Sequence, residues 1–275
     1  MTPQKPSIHR ILVALDTSAH SRAALAAAAN LAAQLEAQLM GIFVEDLNLL
    51  RLAQLPFAHE IRYASAEPQK LDQTGLAQQL RSQAEHARQE LRQTAEQYAL
   101  DWSFRVLRGM VTAELLAAAA EADLLVLGRL GRAPRQGLGS TAQTAVRQYQ
   151  HPVLLMSANA NLNRPPLLLY DGSASAQQAL LLALAVAQGY GRLTILLLTT
   201  DTALAHQWQE ILHDQLAQET LQIEYQTAGD AAGVAMALSV LDVGLVIAGQ
   251  AESPLSRIVM ESLFQEGEHP VLITQ

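Results

Sequence analysis

Ile11-Leu12-Val13-Ala14-Leu15-Asp16-Thr17-Ser18 is a buried-strand pattern ending in a carboxylate and a helix-capping serine, and it returns as Leu167-Leu168-Leu169-Tyr170-Asp171-Gly172-Ser173. Two more stretches repeat in the same order. Ala122-Asp123-Leu124-Leu125-Val126-Leu127-Gly128 matches Val243-Gly244-Leu245-Val246-Ile247-Ala248-Gly249, and Gln150-His151-Pro152-Val153-Leu154-Leu155 matches Glu268-His269-Pro270-Val271-Leu272-Ile273. Three matches in one order indicate two copies of one module. A chain of 275 residues leaves each copy room for its own core.

Working outward, short apolar runs alternate with amphipathic stretches. Ile11–Leu15 predicts a strand, Ala19–Glu36 a helix and Gln38–Val44 a strand. Asp72–Ala99 predicts a long helix, followed by a strand at Trp102–Leu107 that Gly109 ends, a helix at Thr112–Glu121, a strand at Leu124–Leu127, a helix at Ser140–Gln148 and a strand at Pro152–Met156. The second copy predicts strands near Leu167–Tyr170, Leu193–Leu198, Leu221–Thr227, Gly244–Ala248 and Pro270–Thr274, with helices between them. Alternating β and α elements call for parallel sheets. The expected fold class is therefore α/β: two tandem doubly wound modules, each a five-stranded parallel sheet flanked by helices. The expected modules are 1–157 and 166–275, joined by the asparagine- and proline-rich connection Ser157–Pro166. Asp16 to Gly128 spans 112 positions and Asp171 to Gly249 only 78, so the first copy carries about 34 extra residues. They are placed mainly at 46–73, as a short leucine-rich helix and a loop.

A net charge of −8 argues against general binding of nucleic acid or anionic membranes. With no cysteine, disulfides, thiolate metal sites and a cysteine nucleophile are excluded. Ala23–Ala33 is too short to span a bilayer, and no signal-like apolar run opens the chain, so a cytoplasmic protein without membrane insertion is expected. His206 and His213 on one predicted helix stand two turns apart, about 10 Å, too far to share a metal unaided. Asp16, Ser18 and His20 crowd a single turn, which does not suit a nucleophilic relay. No catalytic residue and no metal ligand is assigned.

The stretch Gly128-Arg129-Leu130-Gly131-Arg132-Ala133-Pro134-Arg135-Gln136-Gly137-Leu138-Gly139-Ser140-Thr141 leaves a buried strand and feeds a helix. Such loops bind phosphates in parallel sheets: glycines let the backbone come close, and the first helical N–H groups point at the anion. Arg129, Arg132 and Arg135 add positive charge. The loop is neither a Walker A sequence nor the dinucleotide fingerprint. A glycine-rich connection capped by Ser140, with solvated arginines, is the competing reading.

These stretches together resemble the universal stress protein family over almost the whole chain, as two tandem modules. The resemblance rests on the opening strand with Asp16 and Ser18, on Gly109, on Ala122 to Gly128, on Gly139-Ser140 and on His151-Pro152-Val153-Leu154. Nucleotide-binding members carry Gly, two residues, Gly, nine residues, Gly, then Ser or Thr. Here Gly128, Gly131, Gly139 and Ser140 fit, with seven residues instead of nine in the long gap. The resemblance implies that Asp16 contacts the nucleoside while Ala14 and Val44 line the adenine slot. It further implies that Leu127, Gly128, Leu130 and Gly131 border ribose and phosphates, and that Gly139, Ser140 and Thr141 hold phosphate oxygens. Glu45-Asp46 could receive magnesium brought by a triphosphate, although a solvated strand end competes. In the second copy Glu261-Ser262 is expected in place of Gly139-Ser140, which makes that copy a degenerate module.

The implied function is a stress-response or regulatory protein binding ATP, ADP or AMP in its first module. The alternative is a relative without nucleotide that acts through dimerisation and partners, and slow ATP hydrolysis ranks third because neither a general base nor a lysine accompanies the loop. The resemblance also implies intramolecular pairing of the modules through their last strands and leaves a homodimer open.

Overall fold

A computed structural model describes residues 8–55, 59–61, 68–70, 73–130, 137–160 and 162–275. In the first copy the chain runs through β1 (Arg10–Ala14), α1 (Ala19–Leu35), β2 (Gln38–Asp46), α2 (Leu47–Leu52), β3 (His59–Ile61), β4 (Pro68–Lys70), α3 (Gln73–Gln97), β5 (Trp102–Gly109), α4 (Val111–Ala119), β6 (Leu124–Gly128), α5 (Ser140–Gln148) and β7 (Val153–Met156). It continues through β8 (Pro166–Tyr170), α6 (Ala174–Ala187), β9 (Arg192–Leu198), α7 (Thr202–Leu216), β10 (Gln222–Ala228), α8 (Ala231–Val240), β11 (Leu245–Ala248), α9 (Pro254–Glu266) and β12 (Val271–Ile273). The short antiparallel pair β3–β4 was not foreseen from the sequence; Pro56 and Phe57 lie outside the described residues.

Ten strands form one sheet in the order β10-β9-β8-β11-β12-β7-β6-β1-β2-β5. Each half is parallel and doubly wound, and the halves meet where β7 and β12 run antiparallel, with Val153 opposite Ile273 and Leu155 opposite Val271. Each half therefore loses one exposed edge. Strand order reverses at β1, between β2 and β6, which opens a crevice at the strands' carboxyl ends.

The inner strands read as largely apolar runs because helices cover both faces of the sheet, whereas the edge strands β5 and β10 carry polar residues along their length. Ile11, Val13, Leu124 and Val126 join the core on the face packed by α1, α3 and α6. Their neighbours Leu12, Leu125 and Leu127 join the core on the other face, with residues of α4, α5, α8 and α9. Helix α1 starts where Ser18 accepts the N–H of Ser21, and α6 starts the same way where Ser173 accepts the N–H of Ala176.

A repeated glycine permits the closest approach of strand to helix. A Cβ on Gly128 would lie 2.9 Å from Cβ of His20 and 3.0 Å from that residue's backbone carbon, at the start of α1. A Cβ on Gly249 would lie 2.4 Å from the backbone carbon of Ser175 in α6. Backbone cannot yield as a side chain can, so Gly249→Ala is expected to cost about 1–3 kcal/mol through overpacking. Urea unfolding checks this: a lower midpoint at unchanged slope agrees, and an unchanged midpoint contradicts.

Candidate functional site

The crevice at the first reversal point is a cavity of about 460 Å³. The ends of β1, β2 and β6 form its floor with Ala14, Ile42, Val44 and Leu127, and Asp16 and Gly128 stand at the rim. Leu130 borders it from the loop, and Gly139, Ser140 and Thr141 bring the start of α5 to it. Nine of the ten residues picked from the sequence thus line one space. The tenth, Gly131, lies outside the described residues, as do Arg132 and Arg135.

Asp16 is held by a closed ring of bonds. Its Oδ1 accepts the N–H of Ser18 at 3.0 Å, Ser18 Oγ accepts the N–H of Ser21 at 3.1 Å, and Ser21 Oγ accepts the N–H of Asp16 at 3.2 Å. Ser18 is therefore the N-cap, and Asp16 steadies the turn while still facing the cavity. Between them Thr17 sits at φ 64, a left-handed conformation that costs a β-branched residue energy. The matching residue of the second copy, Gly172, has φ 76 and takes that conformation readily.

At the start of α5 the N-cap is Gly139, which offers no side-chain cap. Gln143 N–H is the first helical donor to be satisfied, by Gly139 O at 2.9 Å. The N–H groups of Ser140, Thr141 and Ala142 have no acceptor among the described residues, so the positive end of the helix dipole opens on the cavity. The Thr141 hydroxyl lies 3.0 Å from that of Thr112 and ties α5 to α4.

Arg129 is the one cation among the described lining residues, and it does not serve the cavity with its charge. The side chain is 3 % exposed, and Nη1 donates to the carbonyl of Leu263 in α9 at 3.0 Å. Burial pulls its pKa below the ordinary arginine value. Of the two strand-end carboxylates considered for magnesium, Asp46 lines the cavity and caps α2 through the N–H of Asn48 at 2.8 Å, while Glu45 pairs with Arg108 at 3.4 Å.

Several lining residues were not picked from the sequence: Leu49 of α2, Leu80 and Gln83 of α3, and Val111 and Leu115 of α4. The apolar stripe of α3 was legible as periodicity, but nothing in it indicates that Leu80 faces a cavity rather than only the core.

In the second copy the same position is filled. The remaining space beside Asp171 and Gly249 is about 10 Å³, on the order of one water. Trp208 of α7 lies over the turn: a Cβ on Gly172 would come within 2.5 Å of its ring, and Tyr170 meets the ring edge-on at 5.7 Å between centroids. Glu261 and Ser262 do not occupy the position of Gly139-Ser140. They lie inside α9, where Ser262 Oγ donates to Glu266 at 3.0 Å. The helix starts at Pro254 and closes its own N-terminus, with Ser253 and Ser256 each accepting the other's backbone N–H at 3.0 Å.

Two doubly wound copies in one sheet, with a crevice beside a bare helix N-terminus in the first, define a tandem doubly wound α/β protein. The sequence profile of the universal stress protein family matches residues 7–157, more than half of the chain, and the chain belongs to that family. It is similar in structure to a universal stress protein from Archaeoglobus fulgidus, at 17 % identity and TM-score 0.72, over 97 % of this chain and 98 % of that one. It is also similar to a putative universal stress protein from Pseudomonas aeruginosa, at 15 % identity and TM-score 0.59, over 98 % and 94 %. At such identities the likeness speaks for the fold. A universal stress protein solved in complex with cAMP matches 56 % of this chain and 99 % of its own, at 22 % identity and TM-score 0.39. No curated protein matches the chain in sequence. No helix among the described residues is long and apolar enough to cross a membrane.

Thr17→Gly is expected to raise stability by roughly 1 kcal/mol by removing the left-handed strain. A higher urea midpoint checks this; a lower one would show that Thr17 side-chain contacts outweigh its backbone cost.

Proposed function

We propose that the protein is a stress-response regulator that binds an adenine nucleotide, ATP or a relative, in the cavity of its first copy. One observation carries this reading: the cavity of about 460 Å³ joins an apolar floor at the strand ends, a carboxylate at its rim and the uncapped N-terminus of α5. A flat heterocycle suits the floor between Ala14 and Val44, ribose hydroxyls suit Asp16, and phosphate oxygens suit the N–H groups of Ser140 and Thr141. Asp46, which lines the same cavity, would be the carboxylate to meet magnesium carried by phosphates. The closed second copy takes no nucleotide, so one ligand per chain is expected.

A second reading, a partner-binding scaffold without nucleotide that works as a dimer, is favoured by one observation. The loop arginine nearest the strand, Arg129, spends its guanidinium on α9 rather than on the cavity.

Mass spectrometry of small molecules released on denaturation, then calorimetric titration of the stripped protein with ATP and AMP, separates the two. One nucleotide per chain supports the first reading, and none with no heat on titration supports the second. Gly139→Asp sharpens the test. Gly139 has φ −64, which any residue adopts, and aspartate caps a helix at least as well as glycine. The variant should keep its unfolding midpoint while nucleotide affinity falls about tenfold or more, because a fixed carboxylate meets the phosphate. Unchanged affinity would move the phosphates elsewhere.

A further inference from the structure

The loop that borders the cavity is fastened to the other half of the molecule. Arg129 N–H donates to Met156 O on β7 at 2.8 Å, and Arg129 O accepts the N–H of Gly139, the N-cap of α5, at 3.0 Å. The backbone of this one residue thus ties the start of α5 to the sheet. The side chain of the same residue crosses to the second copy, where Nη1 donates to Leu263 O in the last turn of α9. That carbonyl also accepts the N–H of Gly267, the left-handed C-cap of the helix. Gly267 leaves room for the guanidinium, since a Cβ there would sit 3.1 Å from Cζ of Arg129. Its own carbonyl accepts Ser157 Oγ at 2.5 Å, a second bond between the copies at the same place.

Electrostatics make this an unusual place for an arginine. No carboxylate among the described residues pairs with it, and Nη2 is buried without a partner. What favours the charge is the carbonyl end of α9, where the helix dipole is negative. Buried charges of this kind stabilise little against an apolar substitute, and their best-attested use is to fix one register over others.

We infer that Arg129 is a positioning residue: by docking on Leu263 and Gly267 it lets the second copy hold the start of α5 in the geometry that the first copy's ligand requires. The second copy, closed to ligands itself, thereby shapes the site of its neighbour. The inference deepens the proposed nucleotide site and rests on that reading for its effect on ligand, but not for its effect on the loop.

Gly267→Ala tests it from the far side. The new methyl presses on the guanidinium of Arg129 and changes no residue that lines the cavity. Gly191→Ala is the matched control, because Gly191 also has positive φ, at 69 against 75, and a Cβ there meets nothing within 4 Å. Both variants carry the same backbone strain, and only one touches Arg129. Amide hydrogen exchange read by NMR without ligand should show the Gly139 N–H exchanging about tenfold faster in Gly267→Ala than in Gly191→Ala. Arg129→Met, which keeps the bulk and loses the donor, should behave like Gly267→Ala. Affinity for AMP measured by calorimetry should fall about tenfold in those two variants and stay within about twofold of the parent in Gly191→Ala. Equal exchange at Gly139 in the two glycine variants overturns the inference. If the parent protein binds neither AMP nor ATP, the nucleotide reading fails, and the exchange at Gly139 alone decides whether the second copy holds the loop.

Discussion

The geometry of the cavity depends on how closely the end of β6 approaches the start of α1. The backbone at Gly128 comes so near His20 and Ser21 that no side chain fits between them, and this contact brings the Asp16 turn and the loop base to the same rim. Were β6 held off by even one methyl group, the turn that holds Asp16 and the peptide of Arg129 that positions α5 would separate. The second copy keeps the contact, tighter still, at Gly249. That it is kept where there is no open cavity shows that the glycine answers first to packing. Its place beside the cavity follows from the topology, because the crevice of a doubly wound sheet opens where the strand order reverses.

The two copies show how little is needed to open or close such a crevice. Both keep the capped left-handed turn after their first strand, and both keep the glycine. They differ in what stands over the turn and in how the last helix begins. In the second copy Trp208 covers Gly172, and α9 starts with a proline, which has no N–H, and a reciprocal serine cap that takes up the N–H of Ser256. In the first, α5 starts at an uncapped glycine after a longer loop, and α2 and α3 wall the space instead of filling it. The strained turn residue, Thr17, belongs to the open copy, and its relaxed counterpart, Gly172, to the closed one.

The inner strands were legible because burial on both faces leaves little but apolar side chains, and for three strands of each copy the repeat set one against its twin. The rim residues Asp16, Gly128 and Gly139-Ser140 were legible for a related reason: strand ends and helix starts carry local signals in capping residues and glycines. What failed had either a local signal that competed with the repeat or none at all. The Glu261-Ser262 alignment was read by order along the chain, whereas α9 begins at the Ser253-Pro254 cap, itself a legible start that was passed over. The direction of Arg129 could not be read at all, since its partner is a main-chain carbonyl 134 positions away and carbonyls leave no mark in a sequence. The walls from α2 and α3 were obscured because a leucine facing a cavity and one facing a core fit the same periodicity.

The closed copy is more than a remnant. Its last strand removes the open edge of β7, a requirement any sheet-forming partner could meet, including a second identical chain. The contact at Arg129 is more particular, because it needs a helix ending in a left-handed glycine at one place relative to that strand. Glycine at 267 meets both demands, the positive φ and the space for a guanidinium, and no other residue meets either without cost. Joining the copies in one chain fixes which partner supplies that helix end, and the contact does not depend on whether the second copy has a cavity of its own. The copies thus differ in a complementary way, with the open crevice in one and the helix end that takes up Arg129 in the other.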